Sequence, residues 1–351
     1  MRKIFLITIV TAIFFLAGLL IVLTTSGIKT ENFNKLIAEK VNEINPKVNL
    51  ELTDVNFKLR ATNFKFEVVT KDPKILINER KIDLEFINFD LNIFDYLNKN
   101  NPISKISIET KENNIDKIID FINEYDFNLP RNLILKQIKK GKVKITSDII
   151  FDKDTPNNFK YVIYGSVRDA EINAPSNLKA NNINFDFLIN KNLINIKDLE
   201  LIFDKIFVSS EEININKEND LFEIIGNLKT KKAKININNY SKIIGKNLNI
   251  FNNQYVNLSS DSKLSFKTNK KFRISNFKIN SKLKFDELHT KSNYQDFIYL
   301  KNGNVQINYN KNELKINLDS KFLFKKKNYN NNETNNLFKA IYKKKTKFGC
   351  I

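Results

Sequence analysis

The sequence predicts a mainly β protein that starts with a transmembrane helix and a short amphipathic helix and continues in a mostly antiparallel sheet. Three observations support this fold class. An uncharged apolar run occupies residues 4–23, a helical repeat follows it, and from Val48 onward apolar and polar residues alternate in short segments. Alternation with a period of two places one face of a strand on an apolar surface and the other face in water.

Residues 1–27 are predicted to be a signal anchor. The apolar run extends from Ile4 through Phe14 to Leu23, and a helix of that length covers about 30 Å, the thickness of the hydrocarbon core of a bilayer. Cleaved signal peptides have shorter apolar regions and a small-residue cleavage site, so an uncleaved anchor is favoured. Basic residues precede the run, which predicts a cytoplasmic N-terminus and places the bulk of the chain across the membrane.

Two helices are expected after the anchor, near residues 32–45 and 114–125. Each segment carries apolar residues at the three- and four-residue spacing of one helix face: Phe33, Leu36, Ile37, Val41 and Ile44 in the first, and Ile115, Ile118, Ile119 and Ile122 in the second. Pro46 ends the first helix because proline has no N–H to donate. Packing on the end of the sheet and a position at the membrane interface both remain open for this helix.

Strand segments fill most of the remaining chain. They share strict alternation and a spacing of roughly 8–14 residues, with Asn, Asp and Lys between them, which is typical of antiparallel neighbours. The clearest segments are 55–59, 64–68, 82–86, 183–187, 213–215, 233–237, 264–266, 272–274, 277–279, 283–285, 305–309 and 314–318. We therefore assign residues 28–320 to one β-rich domain.

The last segment, residues 321–351, differs in composition. It contains nine Lys, a run of Asn and only one acidic residue, Glu333. This composition is typical of a loop or a disordered tail, and we predict such a tail here.

The inventory of reactive side chains argues against catalysis. The chain has one Cys (Cys350), one His (His289) and 8 Gly, so a Cys/His zinc site and Gly-rich phosphate loops have no support. The neighbouring carboxylates Glu211 and Glu212 point to opposite faces of a strand. We predict a protein that is not an enzyme and that needs no metal or cofactor.

The basic charge does not indicate nucleic-acid binding. The formal net charge is +19, but the 58 basic residues comprise only 6 Arg against 52 Lys. Base-specific contacts favour the bidentate guanidinium of Arg. Lys is also abundant together with Asn and Ile, as a low-GC genome would produce. Nucleic acid is therefore not an expected partner.

The alternating apolar face allows two interpretations. It could be the closed core of an ordinary sandwich or barrel, or the open face of a long sheet that contacts lipid. The chain contains 29 Phe, largely on the apolar side of the predicted strands, and such a surface suits acyl chains. Strand pattern alone does not separate the two interpretations.

The order of segments resembles that of the AsmA-like family. The resemblance rests on the N-terminal anchor and helix, then on Ile82-Asp-Leu84-Glu-Phe86, Leu91 to Leu97, and Pro102-Ile103-Ser-Lys-Ile106-Ser-Ile108. Residues 140–240 are similar to the middle of family members in Gly141-Lys-Val143-Lys-Ile145, Tyr164-Gly165-Ser-Val167 and Ile194-Asn-Ile196-Lys-Asp-Leu199.

The resemblance implies an elongated, curved β-groove whose apolar lining carries phospholipid. It also implies a single-pass protein of the bacterial inner membrane, with the bulk of the chain in the periplasm and a role in outer-membrane biogenesis. Phospholipid, the inner membrane and other envelope proteins are then the expected partners. The expected groove residues are Phe57, Phe66, Leu84, Phe86, Phe185, Phe187, Ile213, Ile215, Ile235, Ile237, Phe266, Ile274, Phe285, Ile307 and Ile316. An anchored envelope scaffold with a closed sandwich core is the alternative.

Overall fold

A computed structural model describes most of the 351 residues and confirms the mainly β class. The described residues are 14–15, 17–30, 34–60, 65–92, 94–95, 98, 103–125, 135–152, 159–173, 179–218, 221–237, 255–269, 273–290, 297–311, 313–325 and 332–343. Nineteen strands, two eleven-residue helices and a helical segment at residues 17–25 lie within them. The strands pair antiparallel in every pair whose register is defined, and the chain divides into two compact units.

The predicted anchor lies only partly within the described residues. Residues 17–25 are helical, and the helix ends where the N–H groups of Ser26 and Gly27 donate to the carbonyl of Val22. Phe14 is exposed and Leu23 is half-buried, whereas Ile4 lies outside the described residues. In the part of the chain that the structure describes, no helix reaches the length and hydropathy needed to cross a membrane. The transmembrane span of residues 4–23 therefore stays a prediction.

The first unit comprises residues 1–136, 140–166 and 188–191. Its strands are β1 (Ile28–Thr30), β2 (Val48–Glu51), β3 (Asp54–Arg60), β4 (Lys65–Lys71), β5 (Lys74–Ile77), β6 (Arg80–Asn92), β7 (Ile103–Thr110), β8 (Asn113–Asn114) and most of β9 (Ile138–Phe151). Strand β6 pairs with β5 along its first residues and with β4 along its last. Pairing continues from β6 to β7 and from β7 to β9.

Two helices pack on this unit. Helix α1 (Asn34–Ile44) contacts β2, and helix α2 (Ile115–Tyr125) contacts β6 and buries Ile118. Val55 and Leu84 lie in the core of the unit together with Thr70. The Thr70 hydroxyl donates to the Ile87 carbonyl and accepts from the Ile87 N–H, so its burial leaves no hydrogen bond unmade.

The second unit comprises residues 137–139, 167–187 and 192–351. Strand β10 (Phe159–Asn173) contributes to both units. The other strands are β11 (Lys179–Ile189), β12 (Leu193–Phe203), β13 (Ile206–Glu218), β14 (Leu221–Asn236), β15 (Tyr255–Asn269), β16 (Ile274–Thr290), β17 (Phe297–Tyr309), β18 (Glu313–Lys325) and β19 (Asn332–Lys343). From β12 to β19 each strand pairs antiparallel with the next along the chain, which is the topology of a meander.

Asn and Asp supply left-handed backbone positions inside these strands. Asp169, Asn182, Asp198, Asn276 and Asn302 all have positive φ angles near 50°. A short side chain that bonds to its own backbone makes Asn and Asp the non-Gly residues that adopt this conformation most readily. At Asn276 and Asn302 the strand register shifts by one residue, as in a β-bulge. The abundance of Asn thus compensates for the scarcity of Gly.

The structure differs from the predicted tail. Strand β18 continues to Lys325, and residues 332–343 form β19, which pairs with β18 along its whole length. An unpaired strand edge leaves its N–H and C=O groups without partners, and β19 supplies them for β18. The composition of the segment did not predict strand β19, because backbone pairing does not depend on the side chains that gave the segment its polar character. Cys350 lies outside the described residues.

Candidate functional site

The strand registers of the second unit bring apolar side chains into rows that cross the sheet. Residues paired directly in an antiparallel sheet point to the same face. One row runs through Ile196, Ile213, Gly226, Leu264, Ile279, Tyr309 and Leu314, and another contains Ile215, Ile224 and Phe266. A third row contains Ser281, Ile307 and Ile316, and a fourth contains Leu283, Val305 and Leu318. We call this surface, on β12–β18, the apolar face.

The side chains of the apolar face are neither fully buried nor fully exposed. Ile213, Ile224, Leu264, Ile279 and Ile307 are all half-buried, and so are their apolar row neighbours on β13 to β18 apart from Tyr309, which is more exposed. A closed core would hold most of these side chains near zero exposure. Side-by-side packing within one layer explains the intermediate values, since each side chain is covered by its neighbours and not by a second layer.

Most of the predicted groove residues are half-buried in the structure. These are Phe57, Phe66, Phe86, Phe185, Phe187, Ile213, Ile215, Ile235, Ile237, Phe266, Ile307 and Ile316. The registers bring Ile213, Ile215, Phe266, Ile307 and Ile316 together on the apolar face. Phe185 and Phe187 lie together on β11, with ring centroids 6.3 Å apart.

Several predicted residues lie elsewhere. Phe57, Phe66, Leu84 and Phe86 belong to the first unit, where Leu84 is only 1% exposed and is part of the core. Phe285 is 4% exposed, whereas Ile274 is 64% exposed at the start of β16. Leu84 and Phe285 are therefore buried and do not lie on an open surface.

One end of the apolar face is closed. Val256, Phe285 and Leu300 form a buried cluster there, with Ile237, Leu258, Leu288, Val305, Leu318 and Phe322 packed against it. Phe285 is paired with Gly303 across the β16–β17 register, and its ring lies over the glycine where a side chain would otherwise stand.

The other end of the apolar face is aromatic and open. The ring of Phe277 lies 6.3 Å from that of Phe266 and 6.0 Å from that of Tyr309, within the usual range for contacting aromatic pairs. Phe277 and Tyr309 are both exposed. The apolar face is thus buried at one end of the strands and accessible at the other.

A patch of hydroxyls interrupts the apolar rows between these ends. The Thr230 and Ser260 hydroxyls lie 2.9 Å apart, and those of Ser262 and Ser281 lie 2.6 Å apart. Each pair joins direct register partners on neighbouring strands. This patch was not predicted from the sequence. The signal was present, since Leu258, Ser260, Ser262 and Leu264 stand at alternate positions, which places the two serines on the same strand face as the two leucines.

Charged side chains concentrate on the opposite face. The Lys229 ammonium hydrogen-bonds Glu211 and lowers the pKa of that carboxyl, while Glu211 raises the pKa of Lys229. Glu212 accepts a hydrogen bond of 2.6 Å from Asn195 and lines the same cleft as Glu211. The prediction that these two carboxylates point to opposite faces is therefore wrong, because the register shift between Ser209 and Ile213 interrupts the alternation. This cleft of about 690 Å³ is lined by Glu211, Glu212, Lys263 and Lys278 together with the apolar residues Ile225, Leu264, Ile279 and Tyr309. The two faces therefore differ sharply in polarity, as the alternation predicted.

The residues considered for catalysis have ordinary structural surroundings. Nε2 of His289 lies 2.9 Å from a Glu287 oxygen, and the imidazole ring meets the Tyr299 ring edge-on at 4.4 Å. Within the described part of the chain, no group of three or more His, Cys, Asp or Glu residues is placed to hold a metal ion.

Comparisons with protein-family models, with curated proteins and with solved structures gave no match to the chain. The AsmA-like resemblance therefore stays a prediction that rests on the sequence segments alone.

Proposed function

We propose that the chain is a membrane-anchored lipid-transport protein whose apolar face holds the acyl chains of phospholipid. In this proposal the sheet forms an elongated, curved groove, and residues 4–23 anchor it in the bacterial inner membrane with the bulk of the chain in the periplasm. It supports phospholipid transport to the outer membrane, together with other envelope proteins.

The observation that carries the proposal is the half-exposure of the apolar rows on β12–β18. Ile213, Ile279 and Ile307 lie in register with apolar partners, yet none of them is buried. Removing apolar surface from water is favourable by roughly 25 cal/mol per Å². A face of this kind therefore gains free energy when an apolar chain covers it, and the acyl chains of a phospholipid gain on the same contact.

Neutral side chains on this face agree with an acyl ligand. The hydroxyls of Thr230, Ser260, Ser262 and Ser281 already bond to one another in pairs, so an apolar chain passing over them breaks no hydrogen bond. The ion pairs of Glu211, Lys229 and Lys267 lie on residues of the opposite face.

One observation favours the alternative, an envelope scaffold with a closed core. The cluster of Val256, Phe285 and Leu300 is buried as in an ordinary protein interior. If a closed core extends over the rest of the apolar face, its residues support the fold and take no ligand.

Native mass spectrometry of the full chain, expressed in a bacterial host and purified in detergent, separates the two functions. We expect phospholipid bound to the wild-type protein. Ile307→Asp should lose it, because a carboxylate among Ser281 and Ile316 repels an acyl chain. Asn308→Asp is the matched control, with the same charge one residue further on and on the opposite face, and it should keep the lipid. Full loading of Ile307→Asp contradicts the proposal.

Circular dichroism and thermal unfolding complete the comparison. A half-exposed face tolerates one carboxylate, so Ile307→Asp should fold. Collapse of the fold in this variant, but not in Asn308→Asp, supports the closed core, because an unpaired buried charge costs several kcal/mol. Phe185→Asp and Phe187→Asp test on β11 whether the apolar side chains belong to a half-exposed face or to a closed core.

A further inference from the structure

We propose that one end of the second unit is a membrane-binding tip that docks on an anionic bilayer surface. The tip consists of five apolar side chains, those of Leu221, Ile225, Ile274, Phe277 and Tyr309. All belong to strand ends that meet at the same side of the sheet, since Leu221 pairs with Asn269, Thr268 with Ile274, and Ile279 with Tyr309.

These five side chains are unusually accessible for their size. Ile274 is 64% exposed, Ile225 44% and Leu221 40%, and Phe277 and Tyr309 are exposed as well. Ile225 lies on the face opposite to that of Ile224. Tyr309 lies on the apolar face, so both sides of the strand ends carry an exposed apolar group here. The rings of Phe277 and Tyr309 are in contact, and clustered exposed apolar groups on a protein surface mark an interaction site.

The described side chains at the opposite end of the same strands differ from those of the tip. Val256, Phe285 and Leu300 are buried there. Tyr255 is exposed at that end, but the Lys234 ammonium lies 4.8 Å from the centre of its ring. Among the side chains that the structure describes, the exposed apolar groups of these strands are therefore concentrated at one end.

Basic side chains surround the tip and select the partner. Arg273 and Lys278 flank Ile274 and Phe277 on β16, and Lys311 follows Tyr309; all three are exposed. Among the described residues no carboxylate forms an ion pair with them. The nearby acids Glu218 and Glu313 pair instead with Lys267 and Lys315. Glu211 and Glu212, which line one cleft with Lys278, bond to Lys229 and Asn195.

Apolar side chains among basic ones match the interface of an anionic bilayer. Aromatic and aliphatic groups enter the boundary between headgroups and acyl chains, and Lys or Arg contact the anionic headgroups. A protein partner would need carboxylates in the same arrangement around an apolar centre, and a second copy of this tip carries the same positive charge. The charge therefore favours lipid over a copy of the chain.

The absence of Trp from the sequence allows a direct test on the full chain. A single Trp is introduced by Ile274→Trp in the tip or by Tyr255→Trp at the opposite end. Each variant is reconstituted with vesicles of phosphatidylglycerol and phosphatidylcholine that carry brominated acyl chains. We expect the emission of Ile274→Trp to shift to the blue and to be quenched, and that of Tyr255→Trp to remain unquenched.

The dependence of docking on charge tests whether the bilayer surface must be anionic. Each cation near an anionic surface strengthens binding about fivefold. Replacing Arg273, Lys278 and Lys311 by Gln in the Ile274→Trp background should therefore weaken docking by a factor on the order of 100.

Three outcomes overturn the proposal. They are equal quenching of the two Trp variants, equal quenching by vesicles of phosphatidylcholine alone, and a blue shift without vesicles that grows with protein concentration, which indicates a second copy. Circular dichroism confirms that each variant folds. An acyl chain carried on the apolar face would quench the Trp of Ile274→Trp with vesicles of phosphatidylcholine alone, whereas docking requires phosphatidylglycerol, so docking and lipid carriage can fail independently.

Discussion

The ring of Phe285 occupies the space above Gly303, its direct partner on the neighbouring strand. A Cβ on Gly303 would overlap the ring atoms, so the glycine is required by packing and not by its backbone angles. The pair joins β16 to β17 at the closed end of the apolar face, beside Val256 and Leu300. The packing at the closed end therefore requires a glycine at position 303.

Gly303→Ala should destabilise the second unit. The added methyl displaces the Phe285 ring within a packed cluster, and overpacking of this kind costs about 1–3 kcal/mol. Urea unfolding of the full chain measures the loss. Gly226→Ala is the control, since its Cβ would meet Ile213 at 3.0 Å, where a small shift suffices. The double variant Gly303→Ala/Phe285→Leu should recover part of the stability, and an unchanged midpoint in Gly303→Ala would contradict the packing argument.

The hydroxyls of Ser262 and Ser281 should be energetically coupled. Either Ser→Ala change leaves the other hydroxyl without its 2.6 Å partner, and an unpaired buried polar group costs about 1–3 kcal/mol. The double variant removes both hydroxyls and should lose less than the sum of the single variants. A double-mutant cycle by chemical denaturation measures this coupling. Ser275→Ala, at an exposed residue, gives the baseline, and strict additivity would show that the two hydroxyls do not interact.

Asn302→Gly should leave the stability of the fold nearly unchanged, whereas Asn302→Val should lower it. Its φ of 50° lies in the left-handed region, which costs a β-branched residue about 1–2 kcal/mol. Because Asn302 is exposed, the change alters backbone strain and little else. Thermal unfolding should give a lower midpoint for Asn302→Val and a midpoint near wild type for Asn302→Gly. Equal midpoints would mean that the bulge between Lys301 and Asn304 relaxes without cost.

The Glu211–Lys229 pair should make a small, pH-dependent contribution to stability. Lys229 lowers the pKa of Glu211 in the folded state. The contribution is therefore present above the unfolded pKa of the carboxyl and is lost as pH falls through the folded pKa. Glu211 also raises the pKa of Lys229, so the alkaline loss begins only as pH rises toward that raised value.

Thermal unfolding of wild type and Glu211→Gln across the acid range checks this sign. The difference between the two should shrink as the solution is acidified, and added salt should reduce it at neutral pH because both groups are exposed. Glu212→Gln is the comparison, since Glu212 bonds to an amide of Asn195 and not to an ammonium. A difference that grows toward low pH would contradict the assignment.

Local alternation was sufficient to predict which residues share a face within one strand. Ile213 with Ile215 illustrates this, because the two-residue period of a strand is a property of the backbone. At Ile274 local alternation predicted the face but not the exposure, since the partner of Ile274, Thr268, shares the face of Phe266. The left-handed residue Asn276 shifts the pairing of β16 against β15, and Ile274 ends up exposed at the strand end. The bulge does have a signature in the sequence, because the apolar positions change phase between Ile274 and Phe277.

Burial depended on partners that are distant in sequence. Phe285 and Ile307 carry the same alternating pattern, yet Phe285 is buried and Ile307 is half-exposed. The difference comes from what lies across the strand, Gly303 in one case and Ser281 and Ile316 in the other. Residues 332–343 show the same dependence, since their strand is defined by the free edge of β18.

The sequence by itself determined the mainly β class and the division of polar and apolar side chains between two faces, because both follow from a period of two along the backbone. Only the tertiary structure decided the register, and with it the closed end at Phe285, the hydroxyl pairs and the apolar strand ends near Ile274. Register depends on hydrogen bonds and packing between segments far apart in the chain. Gly303 is an example, because its role comes from the Phe285 ring that packs over it from the neighbouring strand.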